Sequence, residues 1–139
     1  MPQFPSRTWM DAFCDGVREH PEVDEVAQTL DGVYRFVVTP AGPLETEHAY
    51  DVAIGPGATP GEPTIAQVVD SGSDPRVTLT ASYLRWQQLI TGRLDVAMAV
   101  MLRQLRVSGD LSPIRSGLSG TRPLLDALKG VDTQWMEDG

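Results

Sequence analysis

The groups in this chain that could carry out chemistry are few: two histidines, one cysteine and some closely spaced carboxylates. His20 and His48 are the types that serve as general bases or metal ligands, but neither has a His or Cys partner at metal-ligand spacing. One stands at the end of a helical segment and the other among acids, so both read as surface histidines. The pairs Glu45/Glu47 and Asp24/Glu25 would do acid–base work only if buried, and their neighbours are polar and loop-like. Cys14 falls on an apolar helical stripe with no base nearby in sequence, which suits a packed thiol more than a nucleophile. Ser116-Gly117-Leu118-Ser119-Gly120 is not the G-x-S-x-G of a nucleophile elbow, because no strand runs straight into it. The glycines between Gly55 and Pro63 have the wrong spacing for a phosphate loop. These residues commit the chain to no catalysis, metal or cofactor.

What remains is apolar, and it is concentrated between Asp74 and Asp110. That stretch contains a short alternating strand, a capped amphipathic helix, a second helix and another short strand. From Val96 to Leu102 no residue is polar. A helix apolar on every side must be buried on every side or must line something apolar. Core on one side and a lipid-sized cavity on the other would meet that condition. The candidate lining is Tyr83, Trp86, Leu89 and Ile90 on the first helix, Val96, Met98, Val100 and Met101 on the second, with Leu105 and Leu125. Methionine adapts to ligands of varied shape, and the same side chains would equally make an ordinary core.

The elements around this stretch follow from periodicity and punctuation. Ser6 caps a helix with Trp9, Met10, Phe13, Cys14 and Val17 at i, i+3, i+4, i+7 spacing. His20-Pro21 ends it, and residues 22–30 read as a short acidic helix with Val23, Val26, Ala27 and Leu30 on one side. From Gly32 the period is two, giving strands around 33–39, 49–54, 64–70 and 76–81, separated by turns rich in glycine and proline. Successive strands joined this way imply an antiparallel meander. Ser82 caps a helix at 83–91 and Gly92 ends it; Asp95 caps the next. Leu105 and Val107 alternate in a fifth strand. A short helix begins at Ser112-Pro113, and a last one spans 122–129, with Pro123 in its first turn.

Composition sets outer limits. At 139 residues and 41% hydrophobic, the chain suits a single domain over 1–139 with a real core. Its net charge is −8, with a pI near 4.5. That balance argues against nucleic acid as a partner. It also argues against standing attachment to an anionic membrane, and no run is long enough to span a bilayer. One cysteine allows no internal disulfide, and a reducing, cytoplasmic setting is the expectation.

Several residues together resemble the sterol carrier protein type two family. They are Val77-Thr78-Leu79-Thr80, then Leu89-Ile90-Thr91-Gly92-Arg93-Leu94-Asp95, then Leu105-Arg106-Val107-Ser108-Gly109-Asp110, preceded by Gly32-Val33-Tyr34-Arg35-Phe36-Val37-Val38. The resemblance covers residues 30–110. It implies an α+β fold: a five-stranded, mainly antiparallel sheet with helices over one face enclosing an apolar cavity. It implies binding or transfer of a sterol, fatty acid or other lipid in that tunnel, with the helix at 122–129 as a cover. Arg103 departs from the pattern, since many members carry glycine there. It would close the tunnel, pair with an acid, or meet a lipid carboxylate. The alternative is a non-catalytic dimerisation or protein-interaction module with a residual cavity, in which Trp135 and Met136 would make the contact.

Overall fold

The structure is a computed structural model that describes residues 3–21, 23, 31–56, 65–69, 74–109 and 122–135. The first helix, α1 (Arg7–Glu19), is capped by Ser6, whose hydroxyl accepts from the Trp9 N–H at 3.1 Å. Its buried residues are Trp9, Met10, Phe13, Cys14 and Val17, the stripe that the spacing predicts. His20 ends it in extended geometry. Of the expected helix at 22–30, only Val23 is described, and it is buried.

Strands β1 (Gly32–Thr39), β2 (His48–Gly55), β3 (Ile65–Val69), β4 (Val77–Ser82) and β5 (Arg106–Gly109) form one sheet in the order β3-β2-β1-β4-β5. The pairs β1–β2, β2–β3 and β4–β5 are antiparallel, and β1–β4 is parallel. The simple meander therefore stops at β3. The chain returns to the free edge of β1, where the Arg76 N–H donates to the Val33 carbonyl at 2.8 Å and starts β4 in register with Tyr34. The gain is a continuous apolar face. Tyr34, Phe36 and Val38 of β1 lie between Val52 and Ile54 of β2 and Val77 and Ala81 of β4, all buried.

Three helices cover that face. α1 packs on β2 and β3; α2 (Tyr83–Ile90) follows β4 without a loop; α4 (Arg122–Gly130) lies against α1 and α2. Gly16 of α1 lets α4 close in: a Cβ there would stand 3.2 Å from that of Ala127. Between α2 and β5 runs α3 (Val96–Met101). The helix expected at 112–120 lies outside the described residues.

The opposite face of the sheet holds a buried charge. Asp51 accepts from Arg35 Nε at 2.8 Å and from Nη2 at 3.1 Å, across the β1–β2 pair that sets them opposite each other. This hydrogen bonding and the negative charge of Asp51 raise the Arg35 pKa, so the guanidinium stays charged.

Candidate functional site

Ser82 is both the last residue of β4 and the cap of α2, its hydroxyl accepting from the Arg85 N–H at 3.3 Å. The chain thus turns directly from sheet to helix. The apolar side of α2 (Tyr83, Trp86, Leu89 and Ile90) is buried against the sheet. The Trp86 indole N–H donates to the Val37 carbonyl at 2.9 Å, pinning α2 over β1. After Thr91, Gly92 takes a φ of 79°, the left-handed geometry that ends a helix cheaply in glycine.

Asp95 then caps α3, its Oδ2 accepting from the Met98 N–H at 3.1 Å. The helix lasts six residues. Its far end is folded back by the N–H groups of Gln104 and Leu105, which donate to the Ala99 carbonyl at 2.8 and 3.1 Å. Ala99 and Leu105 are buried. The other described side chains are not: Met98 is 48% exposed, Val100 38%, Met101 78% and Leu102 59%. Of the apolar segment expected to sit within the molecule, Met98, Val100, Met101 and Leu102 stand at its surface and Ala99 lies inside it. The side chains of Val96 and Leu125 lie outside the described residues. Arg103 is exposed and adopts a φ of 58°, the one non-glycine residue with positive φ among those described.

Between sheet and helices the space is filled by aromatic rings. Phe4 meets Trp9 (centroids 4.8 Å apart), Trp9 stacks on Phe13 (5.9 Å), Phe13 meets Phe36 (5.6 Å) and Phe36 meets Trp86 (5.9 Å). One gap among these rings measures about 10 Å³ and is lined by Phe4, Trp9, Met10, Phe36, Val38, Tyr50, Trp86 and Leu128. That is room for about one water. Of the candidate lining, Tyr83, Trp86, Leu89, Ile90 and Leu105 come together in the core, while Met98, Val100 and Met101 stand outside it. The i, i+4 spacing of Trp9 and Phe13 marks both as core, and nothing local in the sequence says that they fill the space against Phe36.

The tail also differs from expectation. Trp135 is half-buried, with its ring against Phe4 at 5.8 Å and Tyr83 at 6.3 Å, so it packs on the core's edge instead of standing free in the tail. Gln3 and Gln134 form a parallel bridge beside it. Met136 lies outside the described residues.

Residues with chemical potential are dispersed. His20 Nε2 lies 2.8 Å from Asp126 Oδ2, tying α1 to α4 at the edge of a solvent-open polar groove of about 660 Å³. His48 stacks on Tyr50, with centroids 6.3 Å apart. Glu45 and Glu47 are exposed; Asp24, Glu25, Ser116 and Ser119 lie outside the described residues. Among the described residues no three His, Cys, Asp or Glu side chains converge as metal ligands. Burial pushes the Cys14 thiol up to about 11, which makes it a packing group. No described helix is long and apolar enough to cross a membrane.

Residues 11–115 match the model of the SCP-2 sterol transfer family. No curated protein sequence matches the chain. The fold is similar to that of a conserved hypothetical protein from Thermus thermophilus (TM-score 0.72, 18% identity, covering 100% of this chain and 96% of that one). It is similar to a crystal structure of sterol carrier protein 2 (TM-score 0.69, 20% identity, 93% and 99% covered). A UbiJ-SCP2 ubiquinone synthesis protein is also similar (TM-score 0.56, 14% identity, 86% and 90% covered). At these identities the likeness is one of fold.

Proposed function

The chain belongs to the SCP-2 sterol transfer family, and from that premise we propose that it binds an apolar lipid between its sheet and its helices, without catalysis. The observation that carries this reading is α3, whose Met98, Val100 and Met101 side chains are exposed although the helix adjoins the core through Ala99. A sterol or acyl chain seated under α3 would supply them an apolar partner. Tyr83, Trp86, Leu89, Ile90 and Leu105 would form the inner wall of the slot, Val96, Met98, Val100 and Met101 the outer wall, and Leu125 the cover. Arg103 would meet a ligand carboxylate.

The gap of about 10 Å³ beside Phe36 and Trp86 is too small for a lipid, so the slot proposed is the space under α3. Burying methylenes contributes about 0.8 kcal/mol each. Some ten of them leave useful affinity after association costs. The selectivity should be broad, since the driving force is area and not hydrogen bonding.

The test is native mass spectrometry of the purified protein, followed by titration with a fluorescent fatty acid. Met98→Asp sets a charge on an exposed position, so the fold should survive and affinity should fall at least tenfold, as burying an unpaired charge demands. Unchanged uptake by folded Met98→Asp would falsify the slot.

A further inference from the structure

The end of α3 leaves a polar atom stranded. The C-cap is Leu102. Beyond it the Arg103 N–H donates to the Val100 carbonyl at 3.2 Å, and the Gln104 N–H to the Ala99 carbonyl at 2.8 Å. Arg103 takes the left-handed φ of 58°. Those two bonds and that φ make a Schellman ending. In such an ending the residue at the place of Gln104 often carries an apolar side chain, which folds back on the residue at the place of Ala99. Ala99 is wholly buried, so the motif turns Gln104 toward the inner side of α3.

Glutamine brings an amide to that apolar place. The residue is half-buried, yet its Oε1 is shut from solvent with no hydrogen-bond partner among the described residues. The buried carboxylate of Asp51, by contrast, accepts twice from Arg35. An acceptor closed away unpaired lowers stability, and folded proteins rarely keep one without a use. A trapped water is a poor partner for it, since a buried water needs two or more polar neighbours. A hydroxyl on a ligand needs this oxygen alone.

We propose that Gln104 accepts a hydrogen bond from a hydroxyl group of the lipid bound under α3, so that the slot prefers a neutral lipid alcohol. The inference rests on the lipid-carrier reading and gives that slot its inner polar contact. An ionised carboxylate has acceptors only and would set lone pairs against lone pairs at Oε1. A fatty acid therefore leaves its headgroup outside, where Arg103 is exposed. The O–H of an alcohol satisfies the oxygen and leaves the hydrocarbon to the apolar lining. Binding still arises mainly from buried area, and the hydrogen bond adds a preference to it.

The experiment is displacement of a fluorescent fatty acid from the full chain by dodecanol and by its isomer undecyl methyl ether, which has no O–H. The alcohol should bind about fivefold more tightly than the ether, the effect of one net hydrogen bond. Gln104→Met keeps the length and flexibility of the side chain and removes the amide. It should erase the preference by weakening the alcohol alone. It should also unfold at a higher temperature than the parent, because the orphaned acceptor is gone. A glutamine that serves only the fold could not move the alcohol-to-ether ratio.

Equal binding of alcohol and ether by the parent would overturn the proposal and leave the carrier reading standing; that comparison needs no variant. A preference that survives in Gln104→Met would overturn it too, by assigning the hydroxyl to another group. So would a loss of thermal stability in Gln104→Met, which would mean that the amide oxygen is paired within the fold. Failure of fatty acid, alcohol and ether alike to bind would sink the carrier reading, and this inference with it.

Discussion

α1 carries its apolar side chains on one stripe and buries all five of them; α3 is apolar on every side, and of its described side chains only Ala99 is buried. The difference lies in what each helix faces. α1 has 13 residues, long enough to lie across β2 and β3 with a polar side left for water. α3 has six residues, held between its Asp95 cap and the turn at Arg103. Burial requires a complementary surface as well as apolar composition, and in this molecule α1 has one and α3 does not. On our reading, a ligand supplies it.

The sharpest way to break this contrast is a pair of truncations. Phe13 sits between Trp9 and Phe36 in the ring stack, so Phe13→Ala should cost roughly 3–5 kcal/mol in urea unfolding. Met101→Ala should change stability by no more than about 0.5 kcal/mol, as for other exposed positions. A loss near 2 kcal/mol at Met101 would mean that α3 is covered in solution.

A second test probes the α1 side alone. Burial, opposed by the nearby Arg18, raises the Cys14 pKa from 9.0 to about 11. The native state therefore favours the thiol. This contribution to stability is complete below pH 9, where the unfolded thiol is also protonated, and it is lost as pH rises toward 11. The loss can reach at most about 1.4 kcal/mol per pH unit. Urea midpoints between pH 8 and 11 should fall more steeply for the parent chain than for Cys14→Ala. Parallel curves would show that the thiol is open to solvent.

The same contrast marks what the sequence made legible. Helix α1, its cap and its stripe were readable because a polar/apolar period of 3.6 states which side faces inward. The caps of α2 and α3 at Ser82 and Asp95 were readable for a local reason too: a short oxygen-bearing side chain just ahead of an apolar run. The crossing of β4 to the far edge of β1 was not, because register between distant strands leaves no local mark. The surface position of α3 was hidden as well, since an all-apolar segment carries no period to say which side is outside. Trp135 shows the opposite failure: an aromatic among acids near a terminus reads as exposed, and only the docking of Phe4 and Tyr83 against it reveals a residue packed on the core.

The smallest effect separates the two helices most directly. Ser6 and Asp95 cap α1 and α3 in the same way, each accepting from the N–H three residues on at 3.1 Å. Replacing either by alanine removes about 1 kcal/mol of helix stability. α1 is part of the packed core, so Ser6→Ala should lower global stability by nearly that amount. α3 has little packing to couple it to the rest, so Asp95→Ala should barely move the global midpoint. It should instead speed hydrogen exchange about fivefold at the amides of Ala99 and Leu102, which donate to the Asp95 and Met98 carbonyls. Equal global losses from the two substitutions would place α3 in the cooperative core and remove the physical basis for a helix that opens to lipid.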